Sequence, residues 1–245
     1  AQLLFQYLHA KKEKGVYLGA NAALGRRGIR MKFFPENPIL VYRPFHLNER
    51  NYLYLADRGR IYGDVRLFDD QGTGIHFYTN REDTIADQEM TVELSRIDLK
   101  QFKKVLPYLP DVEGWLGGSL HYVDSEGQMM LSADMNLDNF VYEKSPLGNW
   151  TMSGAYLPGD NNAHHVDGFI TYNDQEIIYM NGVYQADETG QENITGELEL
   201  QHFPLRVINP FIPEKMVAFT GDIDGTLSMT GSPMKPVLNG GLQLD

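Results

Sequence analysis

The sequence predicts an all-β protein: an elongated, curved antiparallel sheet with short connecting helices. Over most of the chain, apolar residues alternate with polar or small ones, which is the period of a strand with one buried face. Turn-forming runs such as Asp69-Asp70-Gln71-Gly72 separate these segments. Glycine inside a strand marks a bend or a close approach of backbones, so glycines stacked on the apolar face would let the sheet curl toward it. Four glycines recur at 14-residue intervals in phase with the apolar residues: Gly154, Gly168, Gly182 and Gly196.

The first residues have a different period. Leu3, Leu4, Tyr7 and Leu8 have the spacing of one helix face, and Gly15 suits the position that follows a helix. We therefore expect a lead-in helix or linker over residues 1–14. From Gly15 the period is two, and residues 15–93 are expected to form a first β segment.

The second half of the chain shows the alternation most clearly. Its strands are expected around Met129–Leu137, Trp150–Tyr156, Val166–Tyr172, Ile178–Tyr184, Ile194–Leu200, Phe219–Met229 and Leu238–Leu244. Units of a strand and a turn at this spacing predict an antiparallel meander.

A longer repeat lies over these strands. The pattern of Leu94 to Pro107 returns in Leu200 to Pro213, and each copy precedes a Gly-x-x-x-Gly phrase. Helical spacing predicts short helices at Leu99–Leu106, with Asp98 as cap, and at Leu205–Ile212, where Pro204 and Pro210 keep the helix short or broken. We therefore expect a second β repeat over residues 94–199 and the start of a third over 200–245.

Composition excludes several function classes. The formal net charge of −12 argues against a nucleic-acid partner, and the lack of cysteine excludes disulfides and thiol-based metal sites. No apolar run reaches the roughly 20 residues of a transmembrane helix, so this piece is expected to be soluble. We expect no catalytic residues, no cofactor and no metal site.

Two motifs bear on this expectation. Asp222-Ile223-Asp224-Gly225-Thr226-Leu227 matches a phosphatase motif, but on an alternating strand both aspartates point away from Ile223, and only 18 residues follow Leu227. His164 and His165 are adjacent, so on a strand they face opposite sides and are poorly placed to share a metal.

The last fifty or so residues carry a family resemblance. The phrase Gly221-x-Ile223-x-Gly225-Thr226-Leu227, followed by Gly231, Pro236 and Gly240, resembles the recurrent phrase of the TamB family within the AsmA-like group. Residues 94–120 match it more loosely. The resemblance implies an internal or C-terminal-region fragment of an inner-membrane-anchored protein of the bacterial periplasm, folded as a "β-taco" around an apolar groove. It also implies phospholipid transport to the outer membrane, outer-membrane protein assembly, or both.

An apolar sheet face must be covered either by the protein itself or by a bound client, and each case corresponds to a different architecture. A second sheet would give a closed sandwich, whereas an open trough would use the face to hold a client. The stacked glycines, the methionine share of the face and the family resemblance favour the trough. Its expected partners are phospholipid or another hydrophobic client and an outer-membrane assembly protein, with membrane contact only through parts outside this chain. The residues expected to line the groove are Met129, Leu131, Met135, Trp150, Met152, Tyr156, Ile170, Ile178, Met180, Leu198, Ile223, Leu227 and Met229.

Two other function classes remain open at this point. Trp115 and Trp150 would suit a carbohydrate-binding sandwich if their rings were exposed to stack on sugars. An edge strand that pairs with a client strand would suit a protein-assembly scaffold.

Overall fold

The computed structural model describes residues 1–8, 14–80, 87–104, 106–186, 190–212 and 217–245. Of these residues, 73% lie in strands and 8% in short helical turns, so the predicted all-β class is confirmed. The chain divides into two compact units, Ala1–Gly127 (unit 1) and Gln128–Asp245 (unit 2). Within the ranges described, no helix is long and apolar enough to cross a membrane.

Unit 1 is an antiparallel sheet in which most strands pair with their neighbours in sequence. β1 pairs with β2, β2 with β3, and β6 to β10 form a meander. β3 is the junction, because it pairs with β2, β4 and β6 along its length. The strands are β1 Gln2–Leu8, β2 Lys14–Gly25, β3 Gly28–Leu40, β4 Arg43–Pro44, β5 His46–Leu47, β6 Tyr52–Ala56, β7 Ile61–Phe68, β8 Gly74–Thr79, β9 Gln88–Asp98 and β10 Val112–Ser125.

Unit 2 is a simple antiparallel meander. Each strand from β11 to β16 pairs with the next one in sequence. The strands are β11 Gln128–Tyr142, β12 Ser145–Pro158, β13 Ala163–Tyr172, β14 Gln175–Ala186, β15 Glu192–Pro204, β16 Asp222–Ser232 and β17 Lys235–Leu244. Six of the seven strands predicted from the alternation fall within these bounds, whereas the strand predicted at Phe219–Met229 begins only at Asp222.

Both predicted connecting helices are present, as 3-10 turns rather than α-helices. The described turns are η1 Asp57–Gly59, η2 Leu99–Lys104, η3 Asp160–Asn162 and η4 Leu205–Phe211. Asp98 opens η2 as predicted, since its Oδ1 accepts the backbone N–H of Lys100 at 3.1 Å. Pro210 lies inside η4, where it removes one backbone donor and keeps the helix short.

The predicted lead-in helix is wrong. Residues 2–8 form strand β1, in which Leu3, Phe5 and Tyr7 pair with Ala20, Leu18 and Val16 of β2; residues 9–13 lie outside the described ranges. A run this short fits both periods, and an isolated helix of its length is unstable in water. Pairing with β2 satisfies the backbone N–H and C=O groups along one edge of residues 2–8. This long-range pairing favours the strand over the helix.

The two copies of the longer repeat share an unusual backbone geometry. Arg96 in β9 and His202 in β15 lie 106 residues apart, and each has a φ of 47° at an irregularity of its strand. Gly118 and Gly225, on the strands that pair with them, have φ values of 132° and 150°. A Cβ on Gly225 would lie 2.2 Å from the backbone oxygen of Gly241, so this position requires glycine. The boundaries predicted at residues 94 and 200 stay a prediction.

Few hydrophobic side chains are buried in the described residues. The buried ones are Ala20, Phe45, Leu47, Leu147, Ala163, Ile177, Leu205 and Val207. They lie in or next to β5, in η4 and at scattered strand positions, and they do not form a layer across either sheet. Most apolar strand residues are therefore half-buried or exposed.

Candidate functional site: an apolar sheet face in unit 2

The seven strands of unit 2 place their apolar residues in continuous cross-strand rows on one face. Strand register brings these rows together because directly opposed residues project to the same side of a sheet. One row reads, from β11 to β17, Met135, Met152, Ile170, Ile178, Leu200, Gly225 and Leu242. The next reads Ala133, Gly154, Gly168, Met180, Leu198, Leu227 and Gly240. We call this surface the apolar face of unit 2.

All thirteen residues predicted to line a groove lie on this face. Leu131, Tyr156 and Met229 belong to a third row, and Trp150 and Ile223 lie near the η4 end. Met129 lies two residues before Leu131 on β11 and therefore projects to the same side. The period of two in the sequence was enough to assign every one of them to a single side.

The face is accessible to solvent. None of the thirteen residues is buried, and Met152, Leu131 and Met129 are 46%, 42% and 43% exposed. The inner face of a sandwich is closed by a second sheet, so its side chains would be buried. Among the described residues of unit 2, no second sheet covers the apolar face.

The predicted glycine stack forms two directly opposed pairs. Gly154 faces Gly168 across β12 and β13, and Gly182 faces Gly196 across β14 and β15. Between β13 and β14 the register shifts the glycines by two residues, so that Gly168 faces Met180. The gap left by the first pair forms the floor of a shallow cavity of about 220 Å³, bounded by apolar residues that include Leu131, Met152, Tyr156, Val166, Ile170 and Met180.

Helix η4 closes one end of the face. Leu205 and Val207 are buried, and the Phe211 ring packs on Tyr142 of β11 at 4.5 Å between centroids. Trp150 lies beneath, where its Nε1 donates to the backbone oxygen of Leu147 at 2.7 Å. A second cavity of about 350 Å³ lies here, and its described lining is Leu137, Phe140, Leu147, Trp150, Phe203, Val207, Ile208 and Phe211.

Aromatic and polar groups mark the other end. The His164 ring lies 5.7 Å from the rings of both Tyr156 and Tyr184, and the Tyr156 hydroxyl is 2.5 Å from His164 Nδ1. Tyr184 donates its hydroxyl to Glu192 at 3.0 Å, and this hydrogen bond raises the pKa of Tyr184. The apolar face thus has an apolar end under η4 and an amphipathic end at β13 and β14.

The opposite face of unit 2 is polar. Ser153 donates to Asp134 at 2.5 Å, and Thr151 and Thr171 share a hydrogen bond of 2.6 Å across β12 and β13. Tyr179 donates to Asp167 at 2.8 Å, which raises the pKa of the Tyr179 hydroxyl. The sheet therefore separates an apolar side from a hydrated side.

The two motifs weighed from the sequence lie where the alternation predicted. Ile223 is on the apolar face, while Asp224 is on the other side and pairs with His202. His164 and His165 lie on opposite faces of β13, with the His165 ring next to Gly159. Across the described residues, no three or more His, Asp or Glu side chains are grouped to hold a metal ion.

The two tryptophans lie in different units, and neither presents an open platform. Trp150 is part of the apolar cluster beneath η4, and its ring packs on Tyr172 at 5.0 Å. The Trp115 ring is partly covered by the Arg96 guanidinium, 5.4 Å from its centroid. Each tryptophan ring therefore already has a side-chain partner within its own unit, and a sugar site built on the tryptophans stays a prediction.

Sequence reasoning missed part of the apolar face. Val166 and Leu200 lie in its rows, and Leu238 and Leu242 extend it to β17. The same alternation that identified the other members includes all four. Phe211 and the other η4 residues could not be assigned this way, because their place over β11 and β12 depends on a distant contact.

The comparisons with known proteins add no relative. Family models, curated proteins and solved structures were searched, and no match to this chain was found.

Proposed function

We propose that this chain is a periplasmic segment of a TamB/AsmA-like envelope protein whose apolar face handles phospholipid on its way to the outer membrane. The observation that supports this proposal is a continuous apolar sheet face that remains open to solvent. The sequence resemblance adds three features to the same proposal. They are an anchor in the inner membrane, a second role in outer-membrane protein assembly and an outer-membrane assembly partner.

The dimensions of the face suit an acyl chain. Seven strands span six intervals of about 4.8 Å, roughly 29 Å along the row direction. One leaflet of a bilayer has a hydrocarbon depth of about 15 Å, half of the roughly 30 Å core. The apolar rows are therefore longer than the depth that one acyl tail spans in a leaflet.

The side chains suit a variable, fluid ligand. Met129, Met135, Met152, Met180 and Met229 all lie on the face, and methionine is flexible and polarizable. The opposed glycine pairs leave a smooth floor between them. Contiguous exposed apolar surface of this kind is unusual on a soluble protein unless it binds something.

Native mass spectrometry with lipid extraction tests the proposal. The chain is expressed in a bacterial periplasm as wild type and as Met152→Asp or Met180→Asp, each of which puts a charge on the apolar face. Matched controls are Thr195→Asp and Thr230→Asp, which alter exposed positions on the polar face of β15 and β16. We expect copurified phospholipid in the wild type and both controls, and at least about tenfold less in the face variants, because desolvating a charge beside an acyl chain is costly.

Circular dichroism of each variant checks that the sheet remains folded. Wild-type protein free of lipid after gentle purification, or equal lipid in all variants, would contradict the proposal.

A further inference from the structure

The polar face of unit 1 carries a cluster of aromatic side chains. Tyr52 and Tyr54 of β6, Tyr62 of β7 and Tyr78 of β8 alternate with apolar residues that point the other way. Together with Arg30, Asp64 and His76 they surround an open concavity of about 760 Å³. We call this set of seven residues the tyrosine cluster.

The rings of the cluster are arranged as neighbouring platforms. Tyr54 and Tyr62 face each other across β6 and β7 with centroids 6.4 Å apart and planes inclined by 24°. His76 and Tyr78 lie 4.7 Å apart on β8. The Arg30 guanidinium sits 4.6 Å from the centroid of Tyr52. Aromatic surface is therefore offered by adjacent strands, at the interstrand spacing of about 4.8 Å.

Hydrogen bonds hold the polar groups of the cluster in place. His76 Nε2 lies 3.0 Å from Asp64 Oδ1, and Asn48 Nδ2 donates to the same oxygen at 3.2 Å. Tyr78 donates its hydroxyl to Glu93 at 2.9 Å. Side chains fixed in this way lose little conformational entropy when a ligand binds.

The chemistry of the concavity disfavours two ligand classes. Its described lining contains no Leu, Ile, Val, Met or Phe side chain, so it offers an acyl chain no aliphatic contact. The carboxylate of Asp64 balances the guanidinium of Arg30 in this lining, so the concavity has no excess of positive charge to attract a phosphate or another anion. The remaining fit is a neutral ligand with flat apolar faces and many hydroxyl groups.

We propose that the tyrosine cluster is a binding site for a neutral oligosaccharide. The C–H face of a pyranose ring packs on an aromatic ring, and its hydroxyl groups pair with carboxylate, imidazole and guanidinium groups. Neighbouring sugars would cross from one strand to the next over successive rings. Tyrosine and arginine are also frequent in protein interfaces, but the lack of aliphatic lining favours the sugar. All seven residues of the tyrosine cluster belong to unit 1.

Titration of the whole chain with defined tetrasaccharides tests this site. The probes are the β-1,4-linked tetramers of N-acetylglucosamine and of glucose, and the α-1,4-linked glucose tetramer, followed by calorimetry and by amide NMR shifts. We expect saturable binding of at least one probe, with the largest shifts in β6, β7 and β8. Tyr54→Ala and Tyr62→Ala should each weaken it about tenfold, equivalent to roughly 1.4 kcal/mol.

Three further variants separate loss of the site from loss of folding. Tyr62→Phe keeps the ring and should bind within about threefold of wild type, whereas Asp64→Asn keeps the shape and should bind several-fold more weakly because a charge-assisted hydrogen bond is lost. Tyr179→Ala removes a tyrosine from the polar face of unit 2 and should leave binding unchanged.

Failure of all three probes to saturate at millimolar concentration would overturn the proposal. Unchanged affinity in both Tyr54→Ala and Tyr62→Ala would do the same. If a photo-crosslinker placed at Tyr62 captures one specific polypeptide and no probe competes with it, the cluster is a protein interface and the sugar proposal is wrong.

Discussion

At the residue scale, the pairing of His202 with Asp224 shows how one aspartate of the phosphatase-like motif is used. Asp224 Oδ1 accepts the backbone N–H of His202, and its Oδ2 lies 2.8 Å from His202 Nδ1. The hydrogen bond to Asp224 raises the pKa of His202 above 6.5, and the backbone and side-chain hydrogen bonds from His202 lower the pKa of Asp224 below 3.8. The carboxylate thus fixes the left-handed backbone at His202.

The Asp224→Asn variant should lower the pKa of His202 toward its ordinary value of 6.5. In the wild type, the stability contributed by the histidine is complete below pH 6.5 and is lost as pH rises through its higher folded-state pKa. The contribution of Asp224 is present above pH 3.8 and is lost as pH falls through its lower folded-state pKa. NMR titration of the His202 ring checks the shift. An unchanged His202 pKa in the variant would show that the pair does not persist in solution.

Substitution of Gly168 tests whether β12 and β13 approach each other too closely for a Cβ atom to fit between them. A Cβ at this position would lie 2.9 Å from the backbone oxygen of Ser153, so Gly168→Ala should force the strands apart and destabilise the protein by about 1–3 kcal/mol. Gly154 is the matched control, because a Cβ there meets Asp167 at 3.4 Å and Gly154→Ala should change stability by under about 1 kcal/mol. Urea unfolding measures both variants, and equal midpoints would contradict the packing described here.

At the element scale, η4 converts an open sheet into one with a closed end. Seven residues at about 2 Å rise give a length of roughly 14 Å, or about three strand spacings. Its Leu205 and Val207 side chains are among the few fully buried apolar groups of unit 2. The helix has little stability of its own, so its place depends on this packing.

Leu205→Ala should therefore destabilise the protein by about 2–5 kcal/mol, the range for a buried leucine. Leu157→Ala is the control, because Leu157 is 46% exposed on β12 and its truncation should cost under about 1 kcal/mol. Thermal unfolding by circular dichroism compares the two variants. Similar melting temperatures would mean that η4 does not pack as described.

At the scale of the whole molecule, a net charge of −12 should make copies of this chain repel one another despite their exposed apolar surface. The sequence has an isoelectric point near pH 5.0, where this repulsion vanishes. Exposed apolar side chains, such as Met152 on the apolar face of unit 2 and Leu120 on β10, can then meet between molecules.

We expect light scattering at pH 8 and low salt to report monomers, and association to rise as pH approaches 5.0. Molar salt at pH 8 should act in the same direction, because it shortens the Debye length to about 3 Å. Met152→Asp should reduce the association in both conditions. Scattering that is independent of pH and salt would show that charge repulsion is not what keeps the apolar surfaces apart.

The sequence by itself determined which residues share a face. Side chains alternate across a strand with a period of two, so the positions of Met135, Trp150 and Ile178 on one side follow from local backbone geometry alone. The same local rules predicted the short helices near Leu99 and Leu205, since Asp98 and Pro210 act on their own neighbours.

Only the tertiary structure decided what those faces meet. The register between β12 and β13 places Gly154 opposite Gly168, whereas the register between β13 and β14 places Gly168 opposite Met180. Pairing with β2 makes residues 2–8 a strand. The tyrosine cluster gathers side chains from four strands, and η4 covers β11 and β12, which end 63 and 47 residues before η4 begins. Such contacts arise from long-range packing, which a period of two residues does not encode. For the same reason the alternation predicts an apolar face equally well whether a second sheet covers it or, as in unit 2, leaves it open.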